Sequence, residues 1–276
     1  MGFAQSFFYE CVTFLQKIST KFFATKKYFS FVLLVLLCGI ESLSAAELPT
    51  GGVVEAGQAV ISQSANTLNV DQTSQRAVVS WQSFDVARGN TVNFNQPNAN
   101  ASTLNRVNSA SRSMIDGAIN AAGQVIFVNP NGVVFGKGAE VNVGGLVATT
   151  MNIANDAFMN AKDSMAFEGG ATGKIVNNGR ITINDAKGFV ALMAPEVKNE
   201  GVILAALSGQ NSVALVSGQK VTLTFADRQL INVSVDASII NSLINNKRLI
   251  QTSGGQLNLD SHNRSVQFWL KGSLFF

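Results

Sequence analysis

Beyond Cys38 the 276-residue chain contains no cysteine, and before it only Cys11. A disulfide framework and a thiolate metal site are therefore excluded for everything past the N-terminal segment. Histidine is almost as scarce, with His262 the only one, close to the C-terminus. Cys-His and Ser-His-Asp schemes lack a partner, and the carboxylates are spaced singly, so Asp85 or Asp116 reads as a turn or cap residue rather than half of an acid-base pair. No enzyme activity, cofactor or metal is expected. Charge is sparse as well, at 13% of residues. Lysine and arginine are scattered along the chain, which gives no nucleic-acid footprint. Of the formal +3, the first 46 residues supply four lysines against two glutamates, leaving 16 basic and 15 acidic residues in the remainder. A phosphate loop is nearly spelled by NGVVFGKG at Asn131 to Gly138. Its first glycine is out of register, Gly138 stands where a magnesium-binding hydroxyl belongs, and no helix follows.

A long apolar run is missing too, since Phe29 to Ile40 is continuous but too short for a comfortable membrane span. Lys26-Lys27 precede it and Ser44-Ala45-Ala46 follow, the layout of a secretory signal cleaved before Glu47. The leader is long and resembles the extended signal peptides of large exported proteins of Gram-negative bacteria; an uncleaved signal anchor is the alternative. Met1 to Ser6 also fits the loose N-myristoylation pattern, a chance match given the export signal behind it. The expected organisation is 1–46 extended signal peptide, 47–230 main domain, and 231–276 the start of further coil with an anomalous tail.

What is present is 46% hydrophobic residues, enough for a real core and too apolar for disorder. The organising stretch is GQVIFVNPNGVVFGKGAEVNVGGLVA, Gly123 to Ala148. Asn129-Pro130-Asn131-Gly132 marks a corner: Pro130 presets φ, while Asn131 and Gly132 tolerate left-handed backbone. Gly136-Lys137-Gly138 and Gly144-Gly145 mark two more, a spacing that suits a coil of short strands. A repeat supports the coil. Val176-Asn177-Asn178-Gly179-Arg180-Ile181 recurs as Val197-Lys198-Asn199-Glu200-Gly201-Val202-Ile203, with glycines 22 apart (201 − 179), and Val190-Ala191-Leu192 recurs as Val213-Ala214-Leu215, 23 apart (213 − 190). With the alternation at Ile181 and Ile183 and at Val221, Leu223 and Phe225, this period reads as a β-solenoid. Residues 47 to about 80 are expected to cap the first turn, because an open end would be an aggregating sheet edge. Strands are expected at Leu68–Gln72, Ala77–Ser80 running into Trp81, and Val92–Phe94, with Trp81 and Phe84 as core or cap residues. Residues 95–113 read as a loop with a strand near Leu104 to Val107. Met151 to Glu168 reads as a short helix or a hairpin standing off the body. Ile231 to Ile250 has near-helical spacing at Ile239, Leu243 and Ile244, and Gly254 to Leu259 resumes the strand style. The aromatic tail from His262 to Phe276 reads as truncated or frameshifted, or as a membrane-interacting end.

Several motifs in fixed order carry a family resemblance. They are Val79-Ser80-Trp81-Gln82-Ser83-Phe84-Asp85-Val86, Val92-Asn93-Phe94-Asn95-Gln96-Pro97, Leu104-Asn105-Arg106-Val107, Gly123 to Val133, and Leu146-Val147-Ala148-Thr149-Thr150. Over about Leu48 to Phe225 the chain resembles the N-terminal secretion domain of two-partner secretion exoproteins, the filamentous-haemagglutinin family, in its adhesin branch. The resemblance implies an all-β fold, a right-handed parallel β-helix with an N-terminal cap and extra-helical strands. It implies recognition in the periplasm by the POTRA domains of a cognate outer-membrane β-barrel transporter of the Omp85 (TpsB) type, outward threading, and nucleation of β-helix folding at the surface. The secretion motif falls on Asn129, Pro130, Asn131 and Gly132, with Asn105 and Arg106 joining it as candidate recognition residues; whether these four are read by the partner or only make a turn stays open. A second family motif, Asn-Pro-Asn-Leu, is absent, as in adhesin members. Family members run many hundreds of residues further, so any host receptor or glycan is expected to be bound only through such a missing C-terminal region. The competing readings are a self-contained secreted β-helix that binds or acts on carbohydrate, and a non-functional remnant.

Overall fold

The computed structural model describes residues 47–169, 172–205, 211–236, 243–247, 249–261 and 264–274. The leader, Ile239 and His262 lie outside them. Strand makes up 60% of the structure and helix 3%, wound as a right-handed parallel β-helix of about six turns. The organising stretch supplies four strands: Gln124–Val128, Gly132–Phe135, Glu140–Val143 and Gly145–Thr149. The fourth lies in parallel register on the first, Leu146 beside Val125, which closes one turn.

Three sheets form in this way. One stacks Arg76–Trp81, Ser102–Val107, Gln124–Val128, Gly145–Thr149, Phe189–Met193 and Ser212–Ser217. A second stacks Thr67–Gln72, Thr91–Asn95, Ala118–Ala121, Glu140–Val143, Arg180–Ile183 and Val202–Ala205. The third holds Ser113–Ile115, Gly132–Phe135, Lys174–Asn177, Glu196–Asn199 and Leu243–Asn246. The long strand Ile250–Ser261 pairs with the last member of both larger sheets, and Arg264–Leu274 runs antiparallel to it.

Inward side chains stack in columns because each turn repeats the alternation of the one above. Leu68, Val92, Ile119, Val141, Ile181, Ile203 and Ile250 form one such column, every member buried. Each contributes about 1.5–3 kcal/mol by leaving water, and only with a neighbour on both sides, so no turn is stable alone. The offset is 22 at Ile181 and Ile203 and 23 at Val190 and Val213, as the repeat implies. Val197, however, sits on Ile175 rather than on Val176. From Val147 to Ala191 the offset widens to 44 (191 − 147), because residues between these two strands leave the coil.

That excursion corrects two expectations. It contains a short helix, Asn155–Met159, and a strand, Ser164–Glu168, that pairs antiparallel with Lys220–Ala226, itself paired with Gln229–Asp236. Far from standing off, it buries Phe158, Met165 and Phe167 over an outward column of Val78, Leu104, Ile126, Val147, Ala191 and Ala214. Nor is Lys220–Ala226 a coil strand: Val221, Leu223 and Phe225 alternate with the period of two that parallel and antiparallel strands share. The hairpin tip has Asp227 and Arg228 at φ 46° and 70°. Such values suit a two-residue turn whose twist matches the strands. An Asp227–Lys187 ion pair and an Arg228–Asp185 pair at 3.0 Å fasten this tip to the coil.

At the N-terminal end, Val53–Ala56 and Ala59–Ser64 run antiparallel to Arg76–Trp81 and Thr67–Gln72. The capping strands are thus shorter than expected, since Thr67–Trp81 already belongs to the parallel stack. The near-helical spacing of 231–250 is also overridden, because the described parts, Gln229–Asp236 and Leu243–Asn246, are strands.

Candidate functional site

Asn129 to Gly132 forms the corner between Gln124–Val128 and Gly132–Phe135, and its side chains divide the work. Asn129 is fully buried. Its Nδ2 donates to the Ser111 carbonyl at 3.2 Å and to Ser113 Oγ at 3.0 Å. Its Oδ1 accepts the Asn131 N–H at 2.9 Å, closing an Asx turn. Its own N–H reaches the Thr149 carbonyl of the following turn at 3.0 Å, and its carbonyl accepts from Gly132 at 2.9 Å.

Pro130 and Asn131 face solvent, Asn131 leaning back through Nδ2 to the Ser109 carbonyl at 2.8 Å. Gly132 is fixed by its φ of 103°, where an L side chain is strained, and a Cβ there would lie 2.4 Å from the Lys174 carbonyl. The corner is therefore clamped between the preceding turn (Ser109, Ser111, Ser113) and the following one (Thr149, Lys174). Its charged neighbours are peripheral. Arg112 is exposed, and Lys174 pairs with Glu196 at 3.5 Å.

Asn105 and Arg106 lie one rung above, on Phe127 and Val128 of the strand that runs into the corner, but neither touches it. Asn105 points inward between Val79 and Phe127 and is fully buried. Its Oδ1 accepts the Trp81 indole N–H at 3.0 Å, the partner that a buried Trp requires. Arg106 points outward. Its guanidinium donates to Asn152 Oδ1, to the Ile153 carbonyl at 2.7 Å and to Asn155 Oδ1 at 2.9 Å. Asn155 in turn donates to Glu55 Oε2 of the cap at 2.8 Å. Burial lowers the Arg106 pKa, with Glu55 opposing it. Asn155, then Ser80, by hydrogen bonding, and then the Arg106 charge hold the Glu55 carboxyl below its usual value. Arg106 thus joins coil, inserted segment and cap.

Sequence reasoning missed Ser109, Ser111, Ser113 and Gly173. The coil period reaches the first, because Ser109 lies 22 before Asn131 (131 − 109). Gly173 is hidden by the excursion. Also missed was a buried amide ladder: Asn177 Nδ2 donates to Asn199 Oδ1 at 2.8 Å and Asn199 Nδ2 to Asn246 Oδ1 at 2.7 Å. Outside it, a groove of about 670 Å3 crosses the glycine corners between Lys137, Arg180 and Lys247. Among the described residues no three His, Cys, Asp or Glu side chains converge on a metal position.

The family model of the TPS secretion domain matches residues 45–275. A heme/hemopexin-binding protein of Haemophilus influenzae (strain ATCC 51907 / DSM 11121 / KW20 / Rd) is 34% identical over 247 residues, covering 86% of this chain and 26% of that protein. A second heme/hemopexin-binding protein of Haemophilus influenzae is 36% identical over 125 residues, 45% of this chain and 14% of its own length. The chain so spans about a quarter or less of these relatives. The crystal structure of the HMW1 secretion domain from Haemophilus influenzae aligns with a TM-score of 0.59 at 32% identity, over 69% of this chain and 49% of that one. The filamentous hemagglutinin secretion domain aligns at 0.50 and 17% identity, over 75% and 76%, a likeness of fold alone.

Proposed function

Because the chain belongs to the family of TPS secretion domains, we propose that it is the export module of its exoprotein, and that the corner from Asn129 to Gly132 is the part its transporter depends on. Proteins of this family are secreted exoproteins of Gram-negative bacteria, their secretion domain is non-catalytic, and they partner with TpsB transporters. The finer reading is ours. The partner is an Omp85-type outer-membrane β-barrel whose POTRA domains bind the corner in the periplasm, where the turns around it are already wound; the rest of the chain then threads outward extended, and folding of the whole coil starts at the surface.

The observation that carries this reading is the division of labour at the corner. Asn129 is spent inside, so that Pro130 and Asn131 are presented outward on a rigid frame. Rigid presentation lowers the ordering cost of any contact made there. The leader ending at Ser44-Ala45-Ala46 supplies the first export step, and a mature chain without cysteine can pass a pore extended, with no periplasmic cross-link. Asn105 and Arg106 enter as supports of the frame, one through Trp81 and the other through the inserted segment. The cargo class we propose is a haem- or haemopexin-binding exoprotein, after the relatives matched at 34% and 36% identity.

The test is expression in a Gram-negative host with and without a TpsB transporter, followed by immunoblotting of medium and periplasm. Transporter-dependent release into the medium is expected, with loss on replacing Asn129 to Gly132. Retention in the periplasm whether or not the transporter is present sinks the proposal.

A further inference from the structure

The corner has a second half that no motif marks. On the side of the following turn, Gly173 lies flat against it: a Cβ there would stand 2.5 Å from Asn131 C, 2.5 Å from Gly132 N and 2.6 Å from the Pro130 carbonyl oxygen. All three are backbone atoms, so no rotamer change relieves the clash. The contact is reciprocal, since a Cβ at Gly132 would meet the Lys174 carbonyl at 2.4 Å. Gly132 and Gly173 thus let two consecutive turns close face to face, and the strands that follow them pair at once, Gly132 with Lys174 and Val133 with Ile175. On the opposite side Ser113 Oγ accepts from Asn129 Nδ2 at 3.0 Å. The corner is pressed from below by a missing side chain and hooked from above by a hydroxyl.

We propose that Gly173 is a positioning residue for export, acting through the backbone of Pro130 to Gly132. The transporter-dependent step needs the corner's folded shape, of which Gly173 is a part, and not only the four motif residues. This rests on the function proposed above, that the corner serves the transporter.

Glycine stacking elsewhere in the coil provides a matched control. Gly201 occupies another corner, where a Cβ would lie 2.2 Å from the Gly179 carbonyl, 2.8 Å from Asn178 C and 2.8 Å from Asn177 Nδ2. Neither Gly173 nor Gly201 has a positive φ, so Ala at either meets crowding alone. Gly173→Ala and Gly201→Ala therefore impose a similar insult on the same coil, one at the motif corner and one away from it.

The experiment compares the full chain, Gly173→Ala, Gly201→Ala and Ser113→Ala for transporter-dependent release at early times. In parallel each variant is refolded from urea, and its coil is assayed by trypsin resistance. Gly173→Ala is expected to reduce release about tenfold and Gly201→Ala by less than twofold, with comparable trypsin resistance. Ser113→Ala creates no clash and safeguards the test against misfolding; it is expected to cut release severalfold with trypsin resistance unchanged. Equal loss of release in both glycine variants, or unimpaired release of Gly173→Ala and Ser113→Ala, overturns the assignment. A motif-replaced chain run alongside separates the two readings. If it is released like the parent, the corner itself is irrelevant; if it is retained while Gly173→Ala is released, only the role of Gly173 falls.

Discussion

Replacing Asn129 by Ala separates what the corner does for the fold from what it does for export. Asn129 makes three side-chain hydrogen bonds, two given and one received, all in a fully buried position. Each is worth about 1 kcal/mol net, and stranding a buried partner adds to that, so Asn129→Ala should cost about 3–4 kcal/mol. Asn131→Ala removes one bond at an exposed residue, to the Ser109 carbonyl, and should cost about 1 kcal/mol or less. Urea unfolding of the full chain, followed by circular dichroism, gives both numbers, and release into the medium is measured on the same variants. A loss below 1 kcal/mol for Asn129→Ala would refute the account of the corner as a buried, fully satisfied clamp. Given the expected stabilities, the export data then discriminate. Release that tracks stability means that the corner serves by holding the coil, whereas release that falls as far in Asn131→Ala as in Asn129→Ala means that the outward amide is contacted.

Three other outcomes follow from the same geometry. Asn199→Ala interrupts the amide ladder and leaves Asn177 Nδ2 and Asn246 Oδ1 without their partner, a loss of about 2–4 kcal/mol readable in the same urea titration. Trp81→Phe deprives Asn105 Oδ1 of its donor inside the core and should cost about 1–3 kcal/mol, whereas a cost near zero in thermal unfolding would contradict the assigned bond. Glu55 is held below its usual value of 4.5, chiefly by Asn155, so its contribution is complete above pH 4.5 and is lost as pH falls through the lowered folded value. Glu55→Gln should therefore flatten the acid loss of protection in the cap strand, measured by amide exchange at Val53–Ala56 between pH 5 and pH 3.

The coil was legible because its inward columns repeat in one dimension, and glycine marks where turns touch. Gly179 and Gly201 were read as a period of 22, and they do stack, the Cβ position of one lying against the carbonyl of the other. The hairpin Lys220–Asp236 was not legible as extra-helical, because alternation reports which face is buried and not which strand lies alongside. Asn105 illustrates a different limit. Asparagine in a strand reads as surface or turn chemistry, and only the Trp81 indole, 24 residues earlier, explains why it is buried. Asn177 shows the same limit: its Oδ1 serves the corner by accepting the Gly179 N–H at 3.1 Å, but its Nδ2 donates in the interior to Asn199 Oδ1, 22 residues on, at 2.8 Å. The excursion after Thr149 hid Gly173, since the period is interrupted where the two halves of the corner lie far apart in the chain.

The cover over the outward column of Val78, Leu104, Ile126 and Val147 is built from residues of very different position in the chain. The helix Asn155–Met159 and the strand Ser164–Glu168 come soon after that column, but the strand finds its partner only in Lys220–Ala226. A polypeptide delivered from its N-terminus therefore carries a greasy flank on its first turns until residue 226 and its hairpin mate arrive. Closure of that flank thus ties together residues far apart in the chain, since Ser164–Glu168 has no strand partner until Lys220–Ala226 is in place.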